Sequence, residues 1–595
     1  MALSAIDEKK TDILDITQIL SEETLGEKKL LPSAYYIPNP NEFGGNIPCL
    51  PWQKRSTYLT GYFARQHGET TVNRLVTSAK SWLCDRRFDP SKAILPWASE
   101  IEEGLASPIQ VSEALLEHLK ESFLHNTKDL ENGPTLENTA LTLTVPASFD
   151  EIARNLTYEA AEKAGWKNIT LLEEPQAAFY SWIEQENSAW RDQIKAGDLI
   201  LVCDMGGGTS DMTLIAVSEN NGELTLNRIC VGNHLLLGGD NIDLALAYTL
   251  KFQAEAEGKT IDDSQLRELI YGVRNAKEKF SEDDSIDSIP LSVTSKGSGL
   301  FASAISFELT RETFESVIDG FLPLSEITDL PSEDLQSGLQ ELGLKYEAEP
   351  IISKHIAAFL HRCRDAIANS DDLKQQLELD DSKLKQPYLT PTAVLFNGGV
   401  FNSNQIKSRV FEILSSWNKK TELRELTGNS LDLAVARGAA SYGRTKHSGS
   451  GLRIKAGSAQ SYYVGVESSM PAIPGFKPPI SAICVVPYAM EEGAEQILES
   501  RSFGLVTGKK VSFRFFSSKT RTQDVLGTMV PNAEKELEES EKLQVELNSG
   551  NKEENGQIVP VLLHTKLNEL GTMELWMQNP ETNQKWKLEF DIRTE

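Results

Sequence analysis

The octapeptide Asp204-Met205-Gly206-Gly207-Gly208-Thr209-Ser210-Asp211 constrains this chain more than any other stretch. It lies inside residues 198–219, which read as two apolar strands joined by a glycine-rich turn. Three successive glycines let the backbone turn tightly and aim consecutive N–H groups at one point, with no Cβ in the way. Such a turn is an anion cradle. Asp204, at the strand end, suits Mg²⁺ held through water, and the Thr209 hydroxyl suits a phosphate oxygen. A plain glycine hairpin is the competing explanation, and a lone triplet of glycines would favour it.

Two further turns shift the balance. Asn397-Gly398-Gly399-Val400 follows the strand-like run ending at Phe396 and precedes a helix, so a flat ring can lie on its backbone while the helix N-terminus favours phosphate. Taken alone it is also a common tight connection. Leu237-Gly238-Gly239-Asp240-Asn241 opens the helix containing Asp243, where a polar helix cap fits as well as a ligand contact. Rival phosphate motifs fail. The stretch from Gly504 to Lys510 is one residue short of a P-loop, lacks a Ser/Thr after its lysine and has β-type flanks. No G-x-G-x-x-G opens a helix, which removes support for a dinucleotide fold.

The order of these turns resembles the seventy-kilodalton heat-shock (DnaK-like) chaperones. The matching runs are VTSAKSWL with Lys80, TVPASFDEIAR with Pro146 and Arg154, LLEEPQAA with Glu174, and DMGGGTSD with Asp211. HLLLGGDNID, RNAKEKFS, FNGGV and LDLAVARGAA with Asp432 follow, so the likeness covers about residues 2–443. The resemblance implies an α/β fold of the actin-like ATPase type, two lobes around a cleft, with ATP or ADP and Mg²⁺ between them and a β-rich peptide-binding domain after them. By position it implies that Lys80 orients the attacking water, that Glu174 and Asp204 organise Mg²⁺, and that Pro146 and Arg154 relay the nucleotide state. It implies adenosine contacts at Lys277, Glu278 and Ser281, and an adenine platform at Gly398 and Gly399.

Departures from the family pattern are informative. The family's first strand and first phosphate turn have no counterpart here, since Ala2–Ile6 resembles the strand after that turn. Weak ATP binding and little hydrolysis are therefore expected, with a late-called start or truncated gene as the explanation and a hydrolysis-deficient nucleotide-sensing scaffold as the alternative function. Arg274 and Glu278 invert the family's acid-then-base order, and an i,i+4 ion pair between them is expected. No helical lid is foreseen after the β domain.

The resemblance further implies a nucleotide-regulated chaperone that binds unfolded or extended polypeptide, with co-chaperones as further expected partners. The 595 residues exceed one core, and the expected organisation is a nucleotide-binding domain over 1–446, a polar linker at 447–451 and a β-rich domain over 452–595. Lobe I would cover about 1–190 and lobe II about 197–446, with a partial return to lobe I. Fifty-nine Lys and Arg against 87 Asp and Glu give −28, which disfavours nucleic acid and anionic membranes. Six dispersed cysteines and no apolar span or signal layout point to a reduced, cytoplasmic setting. Residues 533–544 are expected as a solvated loop or short helix, and the acidic stretches 323–350 and 369–386 as surface insertions.

Overall fold

In the computed structural model, two parallel strand pairs set up the candidate site. The structure describes all residues except 7–10, 70, 86, 98, 100, 102–103, 130–133, 188, 221–222, 295–303, 333–343, 345, 369–373, 375–383, 419–421, 429, 449–453, 456–457, 459, 468–479, 489, 491–493, 508–509, 519, 522, 547–557, 568–572 and 589–595. Compactness divides the chain into two units. The first holds Met1–Leu214, Gly232–His361 and Tyr388–Leu452; the second holds Ile215–Val231, Arg362–Pro387 and Arg453–Glu595.

In the first unit, the strands Leu141–Val145 and Ile169–Glu173 pair in parallel, with Val145 opposite Glu173. Parallel strands end on the same side, so Pro146 and Glu174, which follow them, emerge together. The strands Leu199–Met205 and Ala393–Asn397 repeat the device, with Asp204 opposite Asn397. Their carboxyl ends deliver the Gly206 and Gly398 turns to one place. Open α/β sheets gather ligand groups in this way, at the carboxyl ends of parallel strands.

Helices hold these strand ends in position. Asp150 accepts from the Ala153 N–H and starts the helix Glu151–Lys163, which buries Leu156 and Ala160 as its spacing predicts. Gly165, at φ +91, follows its C-terminus. The helix Glu174–Glu186 starts on Glu174 with Pro175 in its first turn, and packs tightly on the helix Ala434–Ser448. A Cβ on Gly438 would fall 1.6 Å from the Ala177 carbonyl oxygen, so this crossing requires glycine. The same helix corrects the linker expectation. Its last residues, 444–448, include two of the five assigned to the linker, and 449–451 lie outside the described residues.

In the second unit, antiparallel strands form a five-stranded and a four-stranded sheet. The two share one core, with Val464, Ile483, Val485 and Phe515 from the first meeting Leu498, Val561, Leu563, Leu575 and Met577 from the second. Residues 533–544 are partly as expected: the short helix forms at Ala533–Glu536, but the rest is corrected to the strand Glu538–Glu546, paired with Lys510–Ser518. The 12-residue strand Glu495–Val506 was not foreseen, because Glu499 and Arg501 break its apolar alternation. Much of 323–350 and 369–386 lies outside the described residues.

Candidate functional site

Three glycine turns meet in the first unit. Gly239 and Asp240 donate their N–H groups to the carbonyls of Gly206 (3.1 Å) and Gly207 (2.7 Å). A Cβ on Gly238 would lie 2.7 Å from both of those carbonyl oxygens, and one on Gly398 would lie 2.3 Å from the Met205 carbonyl. Gly398 also sits at φ +92, where only glycine is unstrained. These two glycines are thus explained by close backbone approach. Gly206, Gly207 and Gly208 are not: none has positive φ, and a Cβ on any of them would meet nothing closer than 3.4 Å. Neither local conformation nor crowding by protein explains three glycines there, and space beside the backbone N–H groups is what remains.

The charged groups face the same turn. Lys80, on the short helix Ala79–Trp82, donates to Glu174 Oε1 at 2.6 Å. Burial works against its charge, but Glu174, Asp211 and Asp204 outweigh it and hold the ammonium above the usual lysine range. Asp204 accepts from Asn397 Nδ2 at 2.7 Å. Burial, then the Glu174 charge, lifts its carboxyl to about 7, with Asp211 adding to the rise while the Asn397 bond and Lys80 oppose it. Three carboxylates therefore compete for too little positive charge. Asn397 Oδ1 is buried beside them and has no partner among the described residues.

Pro146 and Arg154 belong to a neighbouring clamp. Arg154 donates to the Ala147 and Phe149 carbonyls and to Glu173 Oε1 at 2.6 Å, while Gln176 holds the other Glu173 oxygen at 3.0 Å. The segment after Pro146 is thereby tied to the residue preceding Glu174.

The expected adenosine group is only partly assembled. Lys277 Nζ lies 3.0 Å from the Cβ position of Gly239, and Val400 lies 3.1 Å from it, so these residues do gather. Lys277 is bonded to Asp243 (2.6 Å) and to the Gly239 carbonyl, however, and Ser281 donates to the Lys277 carbonyl in its own helix. The Arg274–Glu278 pair does not form. Arg274 binds Asp243 and Asp240, and Glu278 meets Arg65 at 3.2 Å, because the fully buried Asp243 carboxylate demands the nearer cations. Asn241 closes a cap on the Gly238 N–H at 2.9 Å, so the third turn is a helix cap in the protein itself. Asp432 accepts from Asn402 and flanks Gly399. Sequence inspection passed over Asn397, Glu173, Ser148 and His234. Asn397 had a signal, its place at the head of the second glycine turn; the others act through partners remote in sequence.

The chain is similar to known chaperones over part of its length. A family model described as Hsp70 protein matches residues 64–328. A chaperone protein HscA homolog from Acinetobacter baylyi is 32% identical over 224 residues, 37% of this chain and 31% of the relative. One from Burkholderia multivorans is 30% identical over 230 residues, 39% of this chain and 32% of the relative. The chain thus spans about a third of the length of the curated relatives it matches. No helix among the described residues is long and apolar enough to cross a membrane.

Proposed function

We propose that the chain is a member of the Hsp70 family, that its glycine cleft binds ATP and ADP, and that nucleotide state governs the binding of extended polypeptide. The observation that carries this is the Gly206–Gly208 turn, whose glycines neither φ nor packing requires. Backbone N–H groups there would hold the phosphates, with the Thr209 hydroxyl beside them. The Gly398–Val400 turn would take the adenine face, and Lys277 would lie at the nucleoside end.

Mg²⁺ fits the donor set. Hard carboxylate oxygens from Asp204 and Glu174, a raised Asp204 carboxyl and an unpartnered Asn397 Oδ1 are what a hard cation and its waters would satisfy. Bound there, it would neutralise phosphate charge. Lys80, held by Glu174, would orient a water toward the terminal phosphate, and the Arg154 clamp would pass strain at Glu174 to the segment after Pro146.

The polypeptide half of the proposal rests on the second unit. Its antiparallel sheets have edges to which an extended chain can add as a strand. The strand Ser210–Asn220 starts at the phosphate turn and enters the second unit at Ile215, so the covalent chain itself links the two activities. Partner chaperones would belong to the same cycle. A labelled apolar peptide bound to the full chain tests the coupling: ATP should accelerate its release and ADP should slow it. Release indifferent to nucleotide would refute the coupling, and phosphate release that survives Lys80→Ala would refute the role given to that lysine.

A further inference from the structure

Beside the phosphate turn lies a Ser–His–Asp group whose members stand far apart in sequence. The segment Gly232–Leu235 runs alongside the start of the strand Ser210–Asn220: Gly232 N–H donates to the Met212 carbonyl at 2.7 Å, and Ser210 and Leu235 exchange bonds of 3.0 and 3.4 Å. This pairing sets His234 next to Asp211. Ser148, two residues after Pro146, donates its hydroxyl proton to Asp211 Oδ1 in a short hydrogen bond. His234 Nδ1 lies 3.0 Å from Ser148 Oγ and 3.5 Å from Asp211 Oδ1.

Hydrogen-bond bookkeeping fixes the direction. A serine has one proton, and Ser148 gives it to the carboxylate, so its oxygen can only accept from His234. Nδ1 must then carry a proton. Nε2 is buried without a partner among the described residues, so Nδ1 carries the ring's hydrogen bonding. The Phe149 ring braces the imidazole edge-on at 5.8 Å and lies under Lys80 Nζ at 5.9 Å. Asp211, 6% exposed, acts in turn on the charges of Lys80 and Asp204.

We propose that His234 is a positioning residue, donating through Ser148 to hold the Asp211 carboxylate against the phosphate turn. The relay runs His234 Nδ1–H to Ser148 Oγ–H to Asp211. Its effect on turnover rests on the nucleotide reading above; its geometry does not.

The test uses the full chain with ¹⁵N-labelled histidine. His234 should show the Nδ1–H tautomer, identified by loss of its signal in His234→Asn, and Ser148→Ala should shift it. An Nε2–H tautomer overturns the relay. In ATP turnover, His234→Leu keeps bulk but loses the donor, and its kcat should fall about tenfold with KM within about twofold. His234→Asn places an amide N–H near the Nδ1 position and should recover most of the rate. Equal rates for Leu and Asn, or a loss confined to KM, overturn the positioning role. A wild-type protein that turns over no ATP would remove the hydrolysis reading and leave the tautomer to decide the relay.

Discussion

At the scale of single residues, glycines in the site fall into two kinds that one substitution separates. Gly398 is forced by the fold, with φ +92 and a Cβ position 2.3 Å from the Met205 carbonyl oxygen. Gly398→Ala should cost about 3 kcal/mol in stability, measured by urea denaturation, from backbone strain plus overlap. Gly207 has no such constraint, its nearest neighbour being Asp240 Oδ1 at 3.4 Å from the Cβ position. Gly207→Ala should leave stability within about 1 kcal/mol, or raise it slightly by stiffening the unfolded chain. It should still weaken nucleotide binding, because the new methyl stands where a phosphate oxygen would approach. Equal destabilisation by both substitutions would mean that the triplet serves the fold alone.

At the scale of elements, buried polar groups tie helices to the strands that carry the site. Arg154 in the helix Glu151–Lys163 and Glu173 at the end of Ile169–Glu173 are 10% and 3% exposed at their side chains. Arg154→Ala strands a buried carboxylate and should cost about 3–5 kcal/mol by denaturation. The helix Pro108–Thr127 is fixed differently, through His118, whose Nε2–H donates to the Thr17 carbonyl at 2.9 Å while Thr60 meets Nδ1 at 2.7 Å. Burial lowers its pKa to about 4, whereas the unfolded chain takes up this proton near 6.5. The unfolded state therefore binds more protons between those values, and stability drops as pH falls through the window by up to about 3 kcal/mol from this 2% exposed group. Asp204, lifted to about 7, contributes with the opposite sign in the same window, so the His118 slope is read as the difference between the melting curves of the wild type and His118→Gln across pH 4–7.

Elements near the site were legible because their signals are local. The three glycine turns, the Asp150 cap and the spacing of Leu156 and Ala160 can all be read within a dozen residues. Partners chosen across the fold were not. Arg274 finds Asp243 and Asp240 over 31 and 34 positions, and Ser148 finds His234 over 86, so neither leaves a mark in short-range spacing. The Arg274–Glu278 expectation failed for that reason: helical proximity was outbid by a carboxylate with no access to water.

On the scale of the whole molecule, the chain enters the second unit three times. Residues 215–231 and 362–387 join it from the middle of the sequence, which composition gave no reason to expect. Within that unit Tyr488 donates to the Ile229 carbonyl at 2.6 Å, fastening the early excursion to the C-terminal sheets. Tyr488→Phe should loosen the amides of 223–231, raising their hydrogen exchange by about fivefold, equivalent to about 1 kcal/mol for one hydrogen bond. Nucleotide should alter exchange in the same stretch if the strand from the phosphate turn carries the coupling.

The most direct test of the central claim is a calorimetric titration of the full chain with ADP and Mg²⁺, beside Gly207→Ala. A nucleotide cradle predicts saturable binding at one site per chain, a melting temperature that climbs with ligand concentration, and weaker binding in a variant that melts like the wild type without ligand. No binding heat and no shift in melting for the wild-type protein would contradict it.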